Sequence, residues 1–357
     1  MKCRFNSAPI FKSLFFTCFL FSSLLCTAQQ NEIVAKLVKE GIALHDKGDY
    51  EAAIAKFDKA LILDPYDYEA NFEKASSLLY AGKYDESIAI SKLLIEKFQD
   101  RPNVKGAYVT LGSAYDDKGN TDSALFAYNE GIKRFPDFYL LHFNKGLMYA
   151  RQKKWDEAEI SFYETMKLKP NHAGSLYYTS LMHEKSNKVA AIISGLTFLA
   201  VEPEGKRAKG IYEYMFELFG SFALKTDKGD NIITLSKDGF DKKDKENNFS
   251  MVNMMMGLTV ASAITDSVKA KTDVAKLSLY MQMMTNSLSI GQKDGKGIYW
   301  KTYAPFLIAM KEKDQMDVFA HIASITSGNE ENIKWINDNQ DKLKAFYEWM
   351  DKYEWKK

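Results

Sequence analysis

The stretch that decides the fold is residues 105–136, which read KGAYVTLGSAYDDKGNTDSALFAYNEGIKRFP. Apolar residues recur at helical spacing in both of its halves, namely Tyr108, Leu111 and Tyr115, then Ala124 and Tyr128. Gly119 lies between the halves, where a glycine can adopt positive φ and end the first helix. Pro136 marks the end of the second helix, because the residue before a proline avoids the α region. The stretch predicts two helices joined by a tight turn.

The same pattern recurs along the first half of the chain with a period of about 34 residues. Prolines at repeat ends are Pro65, Pro102, Pro136, Pro170 and Pro203, at steps of 37, 34, 34 and 33. Small residues in the first helices are Gly41, Ala75, Gly112, Gly146 and Ser180, at steps of 34, 37, 34 and 34. The extra residues of the longer step fall around 101–103, which indicates an insertion between the second and third repeats.

This pattern resembles the tetratricopeptide repeat, a helix–turn–helix unit of 34 residues with the form W-x2-L-G-x2-Y…A-x3-F…P. The resemblance implies repeats at 34–67, 68–101, 105–138, 139–172 and 173–203. The second repeat departs from the pattern, because Ser87 and Ser91 stand where alanine and an aromatic residue are expected. We expect an all-α protein, a right-handed helical-hairpin solenoid of about five repeats followed by a C-terminal α-helical domain.

The remainder of the chain also has helical periodicity. We predict a helix that caps the repeats at residues 204–224. Residues 225–249 are charged and contain glycine, a composition that predicts a loop or linker. Residues 250–357 predict a C-terminal helical domain, in which Met254, Leu258 and Ala261 form one apolar stripe. No segment of any length shows the two-residue period of a strand.

Residues 1–28 have the form of a secretory signal peptide. A short basic start precedes an uncharged, mostly apolar run at 13–26, and Cys26-Thr27-Ala28 supplies a small-x-small cleavage site. The run is shorter than the roughly 20 residues that a spanning helix needs. An N-terminal membrane anchor and a lipid anchor at Cys26 are the alternatives, but Leu25 is a poor neighbour for a lipidated cysteine. We expect an exported protein that is periplasmic or associated with the cell envelope, with secretion as an alternative.

The composition offers little for catalysis or for metal binding. All three cysteines lie within residues 1–28, and the five histidines are scattered. His183 and Glu184 begin the zinc motif H-E-x-x-H, but Asn187 stands where the second histidine is needed. The net charge is only +1, which gives no indication of the basic surface that nucleic-acid binding requires. We expect a non-enzymatic protein without a cofactor, in which the methionines after residue 250 pack in the core rather than bind copper.

The resemblance implies that the first helices of successive repeats line a concave groove that binds a protein or peptide. Its lining is apolar and aromatic with a few charges, which suits an amphipathic helix or an extended apolar peptide. Val38 and Ile42 stand where some family members carry the Lys and Asn that grip a terminal carboxylate. The candidate groove residues are Val38, Ile42, Phe72, Ser76, Tyr80, Val109, Ser113, Asp116, Phe143, Leu147, Arg151, Tyr177, Leu181 and Glu184.

Three functions stay open at this point. The first is an exported scaffold for protein–protein interaction that holds an unknown protein or peptide in the groove. The second is an envelope module that captures glycan or peptide nutrients. The third is an enzyme with its active site in residues 250–357, although the sequence contains no recognisable catalytic motif. The C-terminal helices could also fold back and fill the groove, because exposed apolar surface is unfavourable in water.

Overall fold

A computed structural model describes residues 29–183, 187–225, 231–233, 246–263, 271–291 and 295–356. The predicted signal peptide, residues 1–28, lies outside the described residues, as does Glu184. The contacts divide the chain into two compact units, with the division between Met148 and Tyr149. Each unit is described by itself.

The first unit consists of helical hairpins, as the repeat pattern predicts. Its elements are α1 (29–45), α2 (Tyr50–Leu63), α3 (Tyr68–Tyr80), α4 (Tyr84–Lys97), a 3-10 helix (Pro102–Val104), α5 (Lys105–Asp117), α6 (Thr121–Arg134) and the start of α7 (Tyr139–Arg151). Helix α3 packs against both α4 and α5. The hairpin turns contain Gly48, Gly82 and Gly119 at φ values of +80°, +74° and +85°. Glycine adopts this left-handed conformation without a steric penalty.

In the first and third repeats, the small residue of the first helix lies under an aromatic ring of the second helix. A Cβ atom added at Gly112 would lie 2.4 Å from the Tyr128 ring, and one added at Gly41 would lie 2.5 Å from the Phe57 ring. The ring of Tyr128 is fully buried. The close approach of the paired helices therefore depends on the missing side chain.

The irregular second repeat packs its serines in two different ways. Ser87 donates a hydrogen bond from Oγ to the carbonyl of Ala75, at 2.8 Å. Ser91 is also buried, but its hydroxyl has no hydrogen-bond partner among the described residues. The first serine thus has its hydrogen bond inside the hairpin, whereas the second leaves a polar atom unpaired in the core.

The second unit contains the rest of α7 and all later elements. They are α8 (Trp155–Leu168), α9 (Ala173–Met182), α10 (Lys188–Val201), α11 (Gly205–Gly220), α12 (Ser250–Ala263), α13 (Asp273–Gly291), a π-helical turn (Tyr299–Tyr303), α14 (Ala304–Glu312), α15 (Met316–Ala323), a 3-10 helix (Ile325–Ser327), α16 (Glu330–Asp338) and α17 (Gln340–Lys352). One hydrophobic core joins these helices. Trp300 is buried in it, and Trp335, Trp349 and Trp355 pack against it.

Helix α10 lies at the centre of this core. Its residues 189–200 are all buried, and it contacts α9, α11, α14, α15 and the π-helical turn. The Ser194 and Tyr299 hydroxyls are 2.8 Å apart, and Tyr303 donates a hydrogen bond to the carbonyl of Pro170. The fifth hairpin, which the repeat pattern makes the last of the solenoid, thus shares its core with the C-terminal helices. A helix that is apolar on every side must be covered on every side.

A pair of short strands departs from the expectation of helix and loop alone. Strand β1 (Ala223–Lys225) pairs antiparallel with β2 (Asn231–Ile233), with Ala223 opposite Ile233. The pair falls at the start of the predicted 225–249 linker, most of which lies outside the described residues. The sequence does carry a signal for it, because Ile232 and Ile233 are β-branched residues that favour strands. The pair is small, and the fold class is all-α as predicted.

Among the described residues, no helix is both long enough and apolar enough to cross a membrane.

The turn of the fourth repeat carries a strained residue that offers a stability test. Lys153 has φ of 59°, at the place where the first three repeats have glycine. The left-handed conformation costs a residue with a Cβ about 1–2 kcal/mol, whereas glycine loses about 0.5–1 kcal/mol more backbone entropy on folding. We expect Lys153→Gly to raise the free energy of unfolding by about 0.5–1 kcal/mol, measured by urea denaturation. The reverse change, Gly119→Lys, should lower it, and a loss of stability in Lys153→Gly would contradict this account.

Candidate protein-binding groove

The candidate site of the first unit is one face of α3. Glu69, Phe72, Glu73, Ser76 and Tyr80 each lie three or four positions from another member of the set, which places them on a common helix face. We call this set the groove face of α3. Tyr80 is 62% exposed, Glu69 is exposed, and the other three are half-buried.

One end of the groove face carries an aromatic cluster, formed by His45, Tyr50 and Tyr80. The Tyr50 and Tyr80 rings are stacked with centroids 5.4 Å apart, and His45 meets both rings edge-on, at 5.2 and 5.3 Å. His45 is held in place by a 2.8 Å hydrogen bond between Nδ1 and the Ser77 hydroxyl. The exposed Tyr80 ring therefore has a fixed position, which lowers the entropy that it loses on binding a partner.

The other end of the groove face opens into a cleft of about 490 Å³. The lining residues are Asp67, Tyr68, Glu69, Phe72, Glu73, Arg101 and Asn103. The insertion predicted at 101–103 forms one wall, and its 3-10 helix is tied to α3 by a 2.8 Å hydrogen bond from the Tyr68 hydroxyl to the Asn103 carbonyl. Burial raises the pKa of Tyr68 to about 12, so its hydroxyl stays protonated and donates this bond at neutral pH.

The cleft is rich in carboxylates. Burial raises the pKa of Glu73, and the neighbouring charges of Glu69 and Asp46 raise it further. Arg101 stacks its guanidinium over the rings of Phe98 and Tyr68, at 5.1 and 5.8 Å from their centroids. Within the part of the chain that the structure describes, Glu69 and Glu73 form no salt bridge. The cleft thus contains more negative than positive charge, and this charge lies beside aromatic rings.

The other candidate residues of the first unit differ in what they offer a partner. Val38 is 3% exposed and packs in the core of the first hairpin, so it presents almost no surface. Phe72 is half-buried, and its ring lies against Gly106, where a Cβ would be 2.8 Å away. The Ser113 hydroxyl lies 3.0 Å from the buried Tyr128 hydroxyl. The remaining ones are half-buried, namely Ile42, Val109, Asp116, Phe143 and Leu147.

The last candidate residues belong to the second unit. Tyr177 packs its ring against Phe198 and Tyr178, and the Arg207 guanidinium lies 5.4 Å from it, so its surface is largely used within the fold. Leu181 is 41% exposed. Arg151 is exposed, and partial burial lowers its pKa. Glu184 lies outside the described residues.

Glu73 and Arg101 are the functional candidates that the sequence analysis missed. Glu73 lies next to Phe72, outside the places that the family resemblance assigns to the groove. The three-residue insertion was visible in the repeat spacing, but spacing alone does not show that it forms a wall. Within the described ranges, no group of three or more His, Cys, Asp or Glu side chains could hold a metal ion.

Helical hairpins that recur about every 34 residues define a helical-repeat solenoid, a class of protein that uses its concave face for binding. Comparison with known families agrees with this class. Family models described as tetratricopeptide repeat match residues 44–111 and 109–173. The chain therefore contains tetratricopeptide repeats over residues 44–173. Proteins with such repeats act as scaffolds that bind proteins or peptides.

Individual relatives resemble parts of the chain. The STIP1 homolog of Dictyostelium discoideum is 31% identical over 126 residues, which are 34% of this chain and 22% of that protein. The chain therefore spans less than a quarter of the length of this relative. An uncharacterized protein of Methanocaldococcus jannaschii is 36% identical over 66 residues, which are 16% of this chain and 77% of that protein. The crystal structure of a thermophilic tetratricopeptide-repeat protein of Thermus thermophilus is 22% identical, covers 52% of this chain and 98% of its own, and has a TM-score of 0.43.

Proposed function

We propose that this chain is an exported, non-enzymatic scaffold that holds a protein or peptide segment against the groove face of α3. The observation that carries the proposal is the exposure of Tyr80. A tyrosine that is 62% exposed and stacked on Tyr50 offers a large, preorganised contact of the kind that dominates interface energetics. The neighbouring cleft adds a recess for a second anchor.

Site-specific photo-crosslinking tests the binding surface. A photoreactive phenylalanine analogue replaces Tyr80 in one protein and Tyr66 in a control. Tyr66 is a fair match because it is 64% exposed but lies in the loop between α2 and α3. We expect a defined partner from an extract of the source cells to crosslink at position 80 and not at position 66. Equal crosslinking at both positions, or none at position 80, would overturn the assignment of the groove face.

The export part of the proposal rests on the sequence of residues 1–28. Cleavage after Ala28 would give a mature protein that begins at Gln29. We expect mass spectrometry of the protein from the envelope or the medium of the source cells to show this N-terminus. Retention of residues 1–28 would refute cleavage, and a lipidated Cys26 would favour surface capture of nutrients instead.

A further inference from the structure

The cleft beside the groove face already shows which chemistry it accepts. Its aromatic wall holds the Arg101 guanidinium over Tyr68, whose ring is nearly parallel to that of Phe72, with centroids 6.1 Å apart. Aromatic faces attract cations through their quadrupole. The cleft is therefore built from groups that favour a guanidinium or an ammonium over a neutral side chain.

Glu69 and Glu73 of the cleft form no salt bridge with any residue that the structure describes, although the same hairpins pair their acidic groups elsewhere. Lys74 of α3 pairs with Asp58 at 2.6 Å, and Lys83, in the turn that follows α3, pairs with Glu51 of α2 at 2.7 Å. In contrast, the charges of Glu69 and Asp46 act on Glu73 by repulsion alone. Like charges that are close together lower stability unless a cation relieves them. A positively charged partner group would supply that relief.

The distance between the cleft and Tyr80 defines how far the partner must reach. Glu69 and Tyr80 lie eleven positions apart on α3, which corresponds to about 17 Å along the helix. An extended peptide covers this distance with about five residues. The aromatic cluster at the far end favours an apolar or aromatic side chain, because Tyr80 presents most of its surface.

We infer that the groove face of α3 binds an extended segment in which a lysine or arginine enters the cleft beside Glu69 and Glu73, and an apolar residue four or five positions away lies on Tyr80. This inference rests on the proposed function and names the chemistry of its partner. It differs from the grip on a terminal carboxylate, because here the protein supplies the negative charge.

Binding to an array of synthetic decapeptides tests the inference. The probe is the full chain from residue 29, and the array varies the spacing between one charged residue and one leucine or tyrosine. We expect peptides with lysine or arginine four or five positions from the apolar residue to bind at least about tenfold more tightly than the same peptides with glutamate, because only the basic side chain can form a charged hydrogen bond with Glu69 or Glu73. Higher salt should reduce this preference.

Three variants separate the possible results. Glu69→Gln/Glu73→Gln should lose the preference for basic peptides, whereas Glu86→Gln/Glu96→Gln, at exposed positions of α4 in the same repeat, should keep it. Tyr80→Ala should weaken all groove-bound peptides. If Tyr80→Ala abolishes binding but the selected peptides are not basic, or Glu69→Gln/Glu73→Gln changes nothing, the inference fails and the proposed function stands. If no peptide binds in a manner sensitive to Tyr80→Ala, both fail.

Discussion

Tyr299→Ala should lower the free energy of unfolding of the second unit by about 3–5 kcal/mol, the range for removing a large buried aromatic side chain. The Tyr299 ring is fully buried and lies against Tyr163 at 5.9 Å and Tyr303 at 5.8 Å. Its hydroxyl is 2.8 Å from that of Ser194, so the substitution also leaves a buried hydroxyl with one partner fewer. The effect combines a cavity with a broken polar contact.

The location of the effect is as informative as its size. Ser194 lies in the middle of α10, the second helix of the fifth hairpin, whereas Tyr299 is 105 residues further along the chain. We expect site-resolved amide exchange to speed up in α10 as much as in α14. If the C-terminal helices folded as a domain independent of the repeats, α10 would keep its protection in this variant.

Tyr347→Ala provides a control in the same unit. Tyr347 is 41% exposed on α17, so its removal should cost much less than that of Tyr299. A comparable loss in both variants would mean that the second unit responds to any aromatic deletion and that Tyr299 has no special place in it.

The repeats could be predicted from the sequence because local patterns determine them. A glycine at a fixed distance from an aromatic residue and a proline marks the helices, the turn and the close contact at the same time, as Gly112 and Tyr128 show. Each hairpin contacts mainly its neighbours in the sequence, so periodicity carries most of the information.

The second unit could be predicted less well, because α10 and α12 are apolar on more than one side. The sequence shows Met254 and Leu258 as a stripe on α12, but Met254 is 44% and Leu258 is 52% exposed, whereas Val252, Met256 and Val260 are buried. A helix with apolar residues all round does not indicate which face meets the core. Contacts between segments far apart in the sequence, such as that of α10 with the π-helical turn, determine which face is buried.

The positions that the family resemblance assigns to the groove do not by themselves predict which side chains are exposed. Both Tyr80 and Val38 are candidate groove residues, but Tyr80 is exposed whereas Val38 lies in the hairpin core. Glu73 lies outside the positions that the resemblance assigns to the groove. It is a candidate because the charges of Glu69 and Asp46 raise its pKa, and Asp46 belongs to another helical hairpin. Electrostatic coupling between hairpins requires the three-dimensional arrangement and cannot be predicted from a repeat pattern.

Gly112→Ala should lower the free energy of unfolding of the first unit by about 2–3 kcal/mol, although alanine is the better helix former. The added Cβ would lie 2.4 Å from Cε1 of Tyr128, well inside contact distance. The Tyr128 ring cannot move away easily, because it is fully buried and its hydroxyl lies 3.0 Å from that of Ser113. The two helices of the hairpin must therefore separate.

Two further variants distinguish this clash from a general effect of the substitution. Gly210 lies in α11 with no atom within 4 Å of an added Cβ, so Gly210→Ala should be neutral or stabilise by up to about 1 kcal/mol. In a Tyr128→Ala background the clash partner is gone, and Gly112→Ala should then no longer destabilise. Urea denaturation of the parent chain, the two single variants and the double variant gives the coupling free energy between Gly112 and Tyr128. A coupling close to zero would show that the recurring spacing between small residue and ring is not what holds the hairpin together, and it would weaken the packing argument for Gly41 and Phe57 as well.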